Sequence, residues 1–342
     1  MSPTRSLGVR VPTRRGESAR RRLKELGLLR NDLAPKREGG TLVLPLARAP
    51  TEPWPDGALV EAEFAPVRSI GPRSYLDLLP DLPEAVRRGL PRSFDVVGDL
   101  VLVRFSQGAE PFASQVGAAL LAFVPGARRV GWDRGVTGPE RRRDLLSIAG
   151  SGSWRTEHHE NGLVFSVDLA TAYFSPRLGG EHRWVADRVL ASERVLDLCC
   201  GVGPFAVTIA HDGRARSVVA VDMNPAAVEL FRQNVKRNRV RIPIEVVESR
   251  LEQFLPPARA FDRVVFNLPR EGIKYLGLVA RAVARGGTLH YYEVTDRSEA
   301  PERPAGLMSS MSAHGPWSVA ESHIAHPYSP HADLWEYSLR RG

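Results

Sequence analysis

Between Val185 and Val294 the sequence keeps one rhythm: a short apolar run, a turn, then a segment with helical periodicity. The elements it predicts are a helix over Val185–Ala191, a strand over Arg194–Leu198 and a helix over Pro204–Asp212. A strand at Ser217–Asp222, a helix at Pro225–Arg237 and strands at Ile244–Glu248 and Phe261–Asn267 follow, then a helix at Gly272–Ala284 and a strand at Gly287–Val294. Strands that alternate with helices in this way mean a parallel sheet covered by helices on both faces. Trp317–His326 and Asp333–Arg340, joined by a short loop, then read as an antiparallel hairpin on the sheet edge, so the expected class is α/β with a mixed sheet.

The chain before this run is built differently. Residues 1–50 hold twelve Lys/Arg against four Asp/Glu, so the whole formal charge of +8 sits there and the remaining 292 residues sum to zero. A segregated basic end is the footprint of a module that binds a polyanion. An organelle transit peptide would also be rich in Arg and Ser. The stretch nevertheless leads into apolar helical spacing over Ser18–Leu29 and a strand at Thr41–Leu46, which favours a folded module. Proline and arginine cluster from Ala65 to Pro91, a linker followed by a short helix at Pro83–Arg88. Strands at Phe94–Val96 and Leu100–Arg104, a helix at Glu110–Phe123 and strand-rich stretches at Val130–Gly150 and Trp154–Leu169 make an α+β segment. The expected organisation is a basic N-terminal domain over 1–64, a linker over 65–78, a middle α+β domain over 79–172 and an α/β domain over 173–342. With 342 residues, two or three domains fit.

Several classes are excluded early. No uninterrupted apolar stretch approaches the roughly 20 residues that span a bilayer. The two cysteines, Cys199 and Cys200, are adjacent and cannot staple separate elements. They read as small buried apolar residues. No Cys or carboxylate spacing near the histidines suggests a ligand set, so no metal is expected.

The chemistry concentrates where the first strand of the alternation turns into its helix, in Asp197-Leu-Cys-Cys-Gly201-Val-Gly203-Pro-Phe. The glycines let the backbone turn tightly beneath a ligand, and Pro204 suits the first helical turn. Asp222 ends the next strand, where an acid can accept hydrogen bonds from both hydroxyls of a ribose. Gly201-x-Gly203-x-x-Ala206 followed by Asp222 also fits a dinucleotide fingerprint. A pyrophosphate, however, would be repelled by Asp197, whereas the α-ammonium of S-adenosylmethionine would be drawn to it. The loop therefore favours S-adenosylmethionine over NAD. The third strand runs into Ser249 and Arg250, where an acid would often read the adenine amino group. The fourth runs into Asn267-Leu-Pro269, a turn that aims a polar side chain and a rigid carbonyl at a target base. Arg270 follows, not the stacking aromatic of enzymes that methylate exocyclic amines.

At this point the chain resembles a known family, the archaeal and eukaryotic tRNA (guanine-N1)-methyltransferases acting on guanosine 37. The blocks that carry the likeness are Ser93–Asp99, Gly138–Arg142, Leu146–Gly150, His159–Gly162, Phe165–Asp168, Phe174–Arg177, Gly201–Phe205 and Asn267–Pro269, in order and at suitable spacing. The resemblance implies a Rossmann-like class I methyltransferase domain, preceded by a middle domain and a small domain that grips the outer corner of tRNA. It implies that Arg141 contacts guanine O6, that Glu181 is the general base and that Asn267 and Pro269 form the target-base loop. It places His182 at the cofactor and makes Asp222, Met223 and Asn224 the ribose-binding turn; Asp197, Gly201, Gly203, Ser249, Arg250 and Asn267 complete the cofactor set. Ser249 departs from the family's usual Asp. The resemblance further implies a cytoplasmic, monomeric enzyme whose partner is tRNA and which has no dealings with membranes.

The chemistry agrees with these roles. Guanine N1 carries a proton at neutral pH and must lose it to become a nucleophile, a task for a carboxylate. Charge then spreads onto O6, where a guanidinium stabilises the transition state more than the ground state. Guanosine 37 lies in the anticodon loop, so its base is expected to swing out of the stack. The rivals are a wybutosine-pathway relative that transfers the aminocarboxypropyl group of the same cofactor, methylation of a tricyclic guanosine, and a tRNA-binding protein that holds cofactor without turnover. Asn267-Leu-Pro269 together with the Arg141/Glu181 pair favours methyl transfer to guanosine.

Overall fold

The computed structural model describes residues 3–55, 57–66, 72–80, 82–254, 256 and 258–342. They fall into two compact units, Met1–Asp77 and Leu78–Gly342. Part of the expected 65–78 linker, residues 67–71, lies outside the described residues.

The first unit is a four-stranded antiparallel sheet with one helix. Its elements are β1 (Thr4–Pro12), α1 (Gly16–Glu25), β2 (Lys36–Glu38), β3 (Thr41–Pro45) and β4 (Ala58–Phe64), in sheet order β2-β3-β1-β4. Ala19 and Leu23 of α1 pack with Val9, Val11, Leu44 and Leu46. The helix ends four residues before the expected Leu29. Gly27 adopts φ 63, and Gly27 N–H and Leu28 N–H donate to the Lys24 and Leu23 carbonyls, which turns Leu28 back into the core. The strands β1 and β4 were not expected. In β1 the apolar residues Leu7, Val9 and Val11 alternate with Gly8 and Arg10; Arg5 pairs with Glu61 on the adjacent β4, and Arg10 reaches past β3 to Glu38 on β2.

The second unit opens with α2 (Glu84–Gly89), then β5 (Phe94–Val97), β6 (Leu100–Val103), α3 (Ala113–Phe123), β7 (Arg129–Thr137) and β8 (Arg142–Gly150). Strands β5 to β8 form a sheet in sequence order in which β6 and β7 run parallel. A hairpin, β9 (Arg155–Glu160) and β10 (Leu163–Asp168), comes next.

The remaining elements are α4 (Gly179–Arg188), β11 (Arg194–Leu198), α5 (Pro204–Asp212), β12 (Ser217–Asp222), α6 (Pro225–Arg237), β13 (Ile244–Glu248), β14 (Phe261–Phe266), α7 (Leu276–Ala282), β15 (Val283–Asp296), α8 (Arg303–Met311), β16 (Trp317–Pro327) and β17 (Ala332–Arg341). They build a seven-stranded sheet in the order β13-β12-β11-β14-β15-β17-β16. The first five strands are parallel; β17 is antiparallel to both β15 and β16. This is the mixed α/β sheet that the alternation predicts. Side-chain amides dock the β9–β10 hairpin on α6: Asn234 Oδ1 accepts from Ser166 N–H at 2.7 Å and Asn238 Oδ1 from Val164 N–H at 2.8 Å. They satisfy a strand edge that would otherwise be unpaired.

The largest departures from expectation are two helix boundaries and one unforeseen helix. Helix α4 starts at Gly179 and ends at Arg188, where the pattern predicted Val185–Ala191. Two glycines are poor helix formers. A Cβ on Gly179 would lie 3.0 Å from the Glu160 side chain, so close packing favours glycine there; one on Gly180 would meet nothing, and that glycine sits in the first turn of the helix. The single helix expected over Gly272–Ala284 is a 3₁₀ turn at Gly272–Tyr275 followed by α7, and β15 begins at Val283. Helix α8, with two Ser, two Met and one Gly among its nine residues, was not expected at all; it buries only Leu307 and Met311.

Candidate active site

The carboxyl end of β11 is the centre of the site. Asp197 sits on β11, 1% exposed, between β12 and β14. Its Oδ2 accepts a hydrogen bond from Ala206 N–H at 3.2 Å, while its Oδ1 is buried with no partner. Burial pushes its carboxyl up to about 8. A buried oxygen with no donor is costly, and a ligand ammonium would supply what is missing. Cys199 (φ 58), Gly201 (φ 56) and Gly203 (φ 86) then carry the chain through left-handed backbone into α5. At Gly203 the requirement is double, because a Cβ would also stand 2.5 Å from the Phe231 ring. Burial holds the Cys199 and Cys200 thiols well above their ordinary range, so they are inert packing groups.

Asp222, at the end of β12, ties this loop to the next turn. Its Oδ2 accepts from Gly201 N–H at 2.7 Å and its Oδ1 from Asn224 N–H at 2.9 Å. Burial raises its carboxyl above the usual carboxylate value. Each oxygen keeps a second lone pair, which a ribose hydroxyl could use. Met223 lies half-buried between these two residues. Asn224 spends its side chain on the scaffold: Oδ1 caps α6 through Ala226 N–H at 3.0 Å and Nδ2 donates to the Thr171 carbonyl at 2.7 Å. Asn224 therefore shapes the turn and has no side-chain hydrogen bond to spare along those directions. Ser249 N–H donates to the Asp222 carbonyl at 3.0 Å, which brings the end of β13 beside that of β12; its hydroxyl donates to the Arg250 carbonyl. Arg250 is exposed, 3.6 Å from Glu252.

Glu181 lies in the first turn of α4 and is buried. It accepts from the Tyr292 hydroxyl at 3.1 Å, and His323 Nε2 lies 3.0 and 3.2 Å from its two oxygens. The Tyr292 ring packs 5.6 Å from Phe205 in the first turn of α5, so Glu181 approaches the glycine loop from the β15 side. Its neighbour His182 is 2% exposed, with Nδ1 2.6 Å from Glu160 Oε1 and its ring edge on Phe205 at 4.5 Å. His182 thus backs the loop as a wall. The resemblance would have it meet cofactor as a basic group.

The Arg141–Arg143 run separates into three environments. Arg142 points outward to Glu140 at 2.7 Å. Arg143 is buried, bonded to Asp133 and, at 2.8 Å, to the Phe174 carbonyl. Arg141 has φ 54 and pairs with no carboxylate among the described residues; its guanidinium stands 4.8 Å from the Tyr173 ring centroid. A non-glycine residue in left-handed backbone costs about 1–3 kcal/mol and is found where a side chain must be aimed. The Tyr173 carbonyl lies 3.5 Å from where a Gly201 Cβ would be, and the Arg141 charge is felt at Cys199. Arg141 therefore flanks the same loop from the side of β8.

Asn267 directly follows Phe266, which pairs with Leu198, so β14 delivers it beside Cys199. Its turn is rigid: the Leu268 carbonyl accepts from Gly272 N–H at 2.8 Å and the Pro269 carbonyl from Val294 N–H at 2.9 Å. The expected residues from β11, β12, β13 and β14 thus gather at one sheet edge, with Glu181 and Arg141 on its flanks. Sequence reasoning missed Tyr173, Tyr292, His323 and Glu160. No spacing links them to their partners, since 111 residues separate Tyr292 from Glu181 and 142 separate His323 from it. Only the strand order of the antiparallel half brings them there.

Comparison with known proteins bears on the same regions. Residues 156–318 match the model described as the TRM5/TYW2 methyltransferase domain, residues 75–153 the TYW2 N-terminal domain, and residues 8–53 the tRNA methyltransferase 5 N-terminal domain. The chain is 34% identical over 289 residues to the tRNA (guanine(37)-N(1))-methyltransferase Trm5b of Pyrococcus abyssi, covering 84% of each chain. The crystal structure of that protein superposes with a TM-score of 0.75 over 98% of this chain and 99% of the other, at 31% identity. A complex of aTrm5 with tRNALeu superposes with a TM-score of 0.70 at 27% identity, over 98% of this chain and all of the other. The tRNA(Phe) (4-demethylwyosine(37)-C(7)) aminocarboxypropyltransferase of Pyrococcus horikoshii is more distant, 25% identical over 69% of this chain and 84% of its own.

Proposed function

The chain belongs to the Trm5 family of tRNA (guanine(37)-N(1))-methyltransferases, and from that premise we propose how its own residues carry out methyl transfer to N1 of guanosine 37. S-adenosylmethionine, bound at the carboxyl ends of β11 and β12, supplies an electrophilic methyl group. Asp197 Oδ1, buried and without a donor, would hold the cofactor's ammonium, and Gly201 and Gly203 would let the backbone lie close beneath it. Asp222 would take the ribose hydroxyls beside Met223, with Ser249 and Arg250 near the adenine. These donors fit a cationic amino acid attached to a nucleoside better than they fit a pyrophosphate.

Glu181 takes the N1 proton, and Arg141 donates to O6 as charge develops there. The Asn267-Leu-Pro269 turn, pinned to Gly272 and Val294, positions the base. The observation that carries this reading is the placement of Glu181 and Arg141 on two flanks of one glycine loop, through Tyr292–Phe205 and Tyr173–Gly201 respectively. Both come from one chain with Asp197, which supports action as a monomer, and a tRNA substrate supports action in the cytoplasm. No helix of the described residues is long and apolar enough to cross a membrane. The basic segment 1–64 would grip tRNA, with 79–172 as the middle domain and 173–342 as the catalytic one.

The test is incubation with labelled S-adenosylmethionine and unmodified tRNA transcripts carrying G or A at position 37, followed by nucleoside analysis. The expected product is 1-methylguanosine, from the G37 transcript only. An aminocarboxypropyl nucleoside would move the chain to the wybutosine branch.

A further inference from the structure

Behind Glu181 lies a set of buried polar groups that the mechanism above does not use. His323 on β16 is tilted over the Trp184 ring at 4.5 Å, which fixes its plane. Its Nε2 faces both Glu181 oxygens, whereas its Nδ1 is buried with no hydrogen bond. Glu336 Oε2 on β17, also unbonded, lies 3.6 Å from that Nδ1. The other Glu336 oxygen lies 2.8 Å from both His290 Nδ1 and Ser338 Oγ. His290 Nε2 in turn lies 2.6 Å from Arg263, which pairs with Glu193. The imidazole is thus bracketed by two carboxyl groups in the manner of a base and its orienting partner.

The balance of these groups decides what His323 can do. A buried carboxylate is held ionised only if donors compensate for lost water. Glu181 has two donors, Tyr292 O–H and His323 Nε2–H. The acidic groups that face this cluster are Glu336 on β17 and Asp197 on β11, which share the field of Glu181 at Tyr292, and Glu321 beyond on β16. Arg188 on its own helix and Arg263 on β14 are the nearby cations, but they reach toward Glu321 and Glu193. Burial pushes the Glu336 carboxyl up to about 8; its Oε2 stands 3.6 Å from Nδ1, in contact but beyond hydrogen-bond distance, so Nε2 is the His323 nitrogen that is hydrogen-bonded, to Glu181.

We propose that His323 is the positioning residue for the base: held by the Trp184 ring and backed by Glu336, it donates from Nε2 to Glu181 and keeps that carboxylate aimed at the N1 proton. The inference rests on the role given to Glu181 above.

The experiment is single-turnover methyl transfer by the full chain on G37 tRNA transcript, from about pH 6 to about pH 9, with His323→Asn and His323→Gln. Asn ends near the Nδ1 position and withdraws the donor from Glu181. Gln reaches as far as Nε2 and keeps an amide N–H there. The wild type should form 1-methylguanosine with a rate that rises and then levels. In H323N the rising limb should move to higher pH, so that the loss of rate is larger near about pH 6 than near about pH 9. H323Q should keep the wild-type limb, and both variants should bind tRNA and S-adenosylmethionine within about twofold of wild type. A loss in H323N of the same size at every pH, a limb that moves equally in both variants, or losses that follow binding or melting temperature would overturn the proposal. A wild type that makes no 1-methylguanosine would overturn the underlying reading instead.

Discussion

On the parallel side of the large sheet, Asp197 is buried at the end of β11 with one oxygen unpartnered. On the antiparallel side, Glu181 is nearly as buried, yet both its oxygens accept hydrogen bonds, from Tyr292 and His323. The same functional group is left incomplete in one place and completed in the other. A carboxyl group that must bind a cation gains from waiting without a protein donor, because the ligand then supplies the compensation. A carboxyl group that must accept a proton from a substrate has to be ionised before the substrate arrives, so its donors belong to the protein. The parallel half supplies loops and backbone at strand ends, as open α/β sheets do. β15, where the sheet turns antiparallel, and β16 add side chains that reach back to α4.

The largest test of this contrast removes the completed carboxylate. Glu181→Gln should lower the single-turnover rate by about 100-fold or more, the usual contribution of a positioned general base. S-adenosylmethionine affinity, read by calorimetry, should stay within about threefold. Equal losses in rate and affinity would mean that Glu181 supports the pocket and does not act on the base. Arg141→Ala should cost about 100-fold in rate, the scale of one oxyanion donor. Arg142→Ala, whose side chain faces Glu140, should cost less than about twofold and serves as the neighbour control.

The same contrast explains what was legible in the sequence. In the parallel half, strands β11, β12 and β13 and helices α5 and α6 begin and end where the pattern places them. Buried parallel strands are short apolar runs, and Gly203, Pro204, Asn224 and Pro225 punctuate their ends with local stereochemistry. Asp197 was likewise legible, since a carboxylate before a glycine turn has few uses. In the antiparallel half the hairpin was visible, but its function was not. Tyr292, His323 and Glu336 look like ordinary alternating polar and aromatic strand residues, and their meaning depends on register. His323 lies opposite Glu336, and Tyr292 opposite Glu336 on the other side of β17. The start of α4 was misplaced for a related reason: Gly179 and Gly180 are poor helix formers in sequence, and the long-range contact of Gly179 with Glu160 is not visible there. Arg141 could be singled out from Arg142 and Arg143 only by resemblance, because three adjacent guanidiniums reveal nothing of which will turn inward.

The incomplete carboxylate makes a second, smaller test. Asp197→Asn should weaken S-adenosylmethionine about 10- to 100-fold, the range for losing a hydrogen bond to a charged group. The pH dependence has a definite sign. In the unfolded chain this carboxyl titrates near 3.8, and in the fold at about 8. Between those values the folded state holds a proton that the unfolded state has lost, so the ligand-free protein loses stability as pH rises from about 4 to about 8. A cofactor ammonium reverses the preference, so binding near pH 7 should release a proton, seen as a buffer-dependent heat. The melting temperature gained from S-adenosylmethionine should be larger at pH 8 than at pH 5. In the Asn variant the ligand-free slope should flatten and the proton release vanish. A wild-type heat that is the same in every buffer would show that Asp197 is already ionised without ligand, and the contrast with Glu181 would be lost.

The smallest expected effect lies at the edge of the parallel half. Ser249 stands where the family resemblance expects an aspartate for the adenine amino group. Its backbone is already fixed by the Asp222 carbonyl, while its hydroxyl turns to the Arg250 carbonyl. The strand end is thus preorganised and only the acceptor is short. Ser249→Asp adds one without moving the backbone, and a hydrogen bond of about 0.5–1.5 kcal/mol corresponds to a roughly two- to tenfold gain in affinity for S-adenosylmethionine. The gain should appear equally with S-adenosylhomocysteine and disappear with an analogue that lacks the 6-amino group, which ties it to the adenine. If binding weakens, the added charge is felt through Glu248 and Asp222 as repulsion. The adenine would then be held by packing alone, and the incompleteness seen at Asp197 would not extend along the sheet edge.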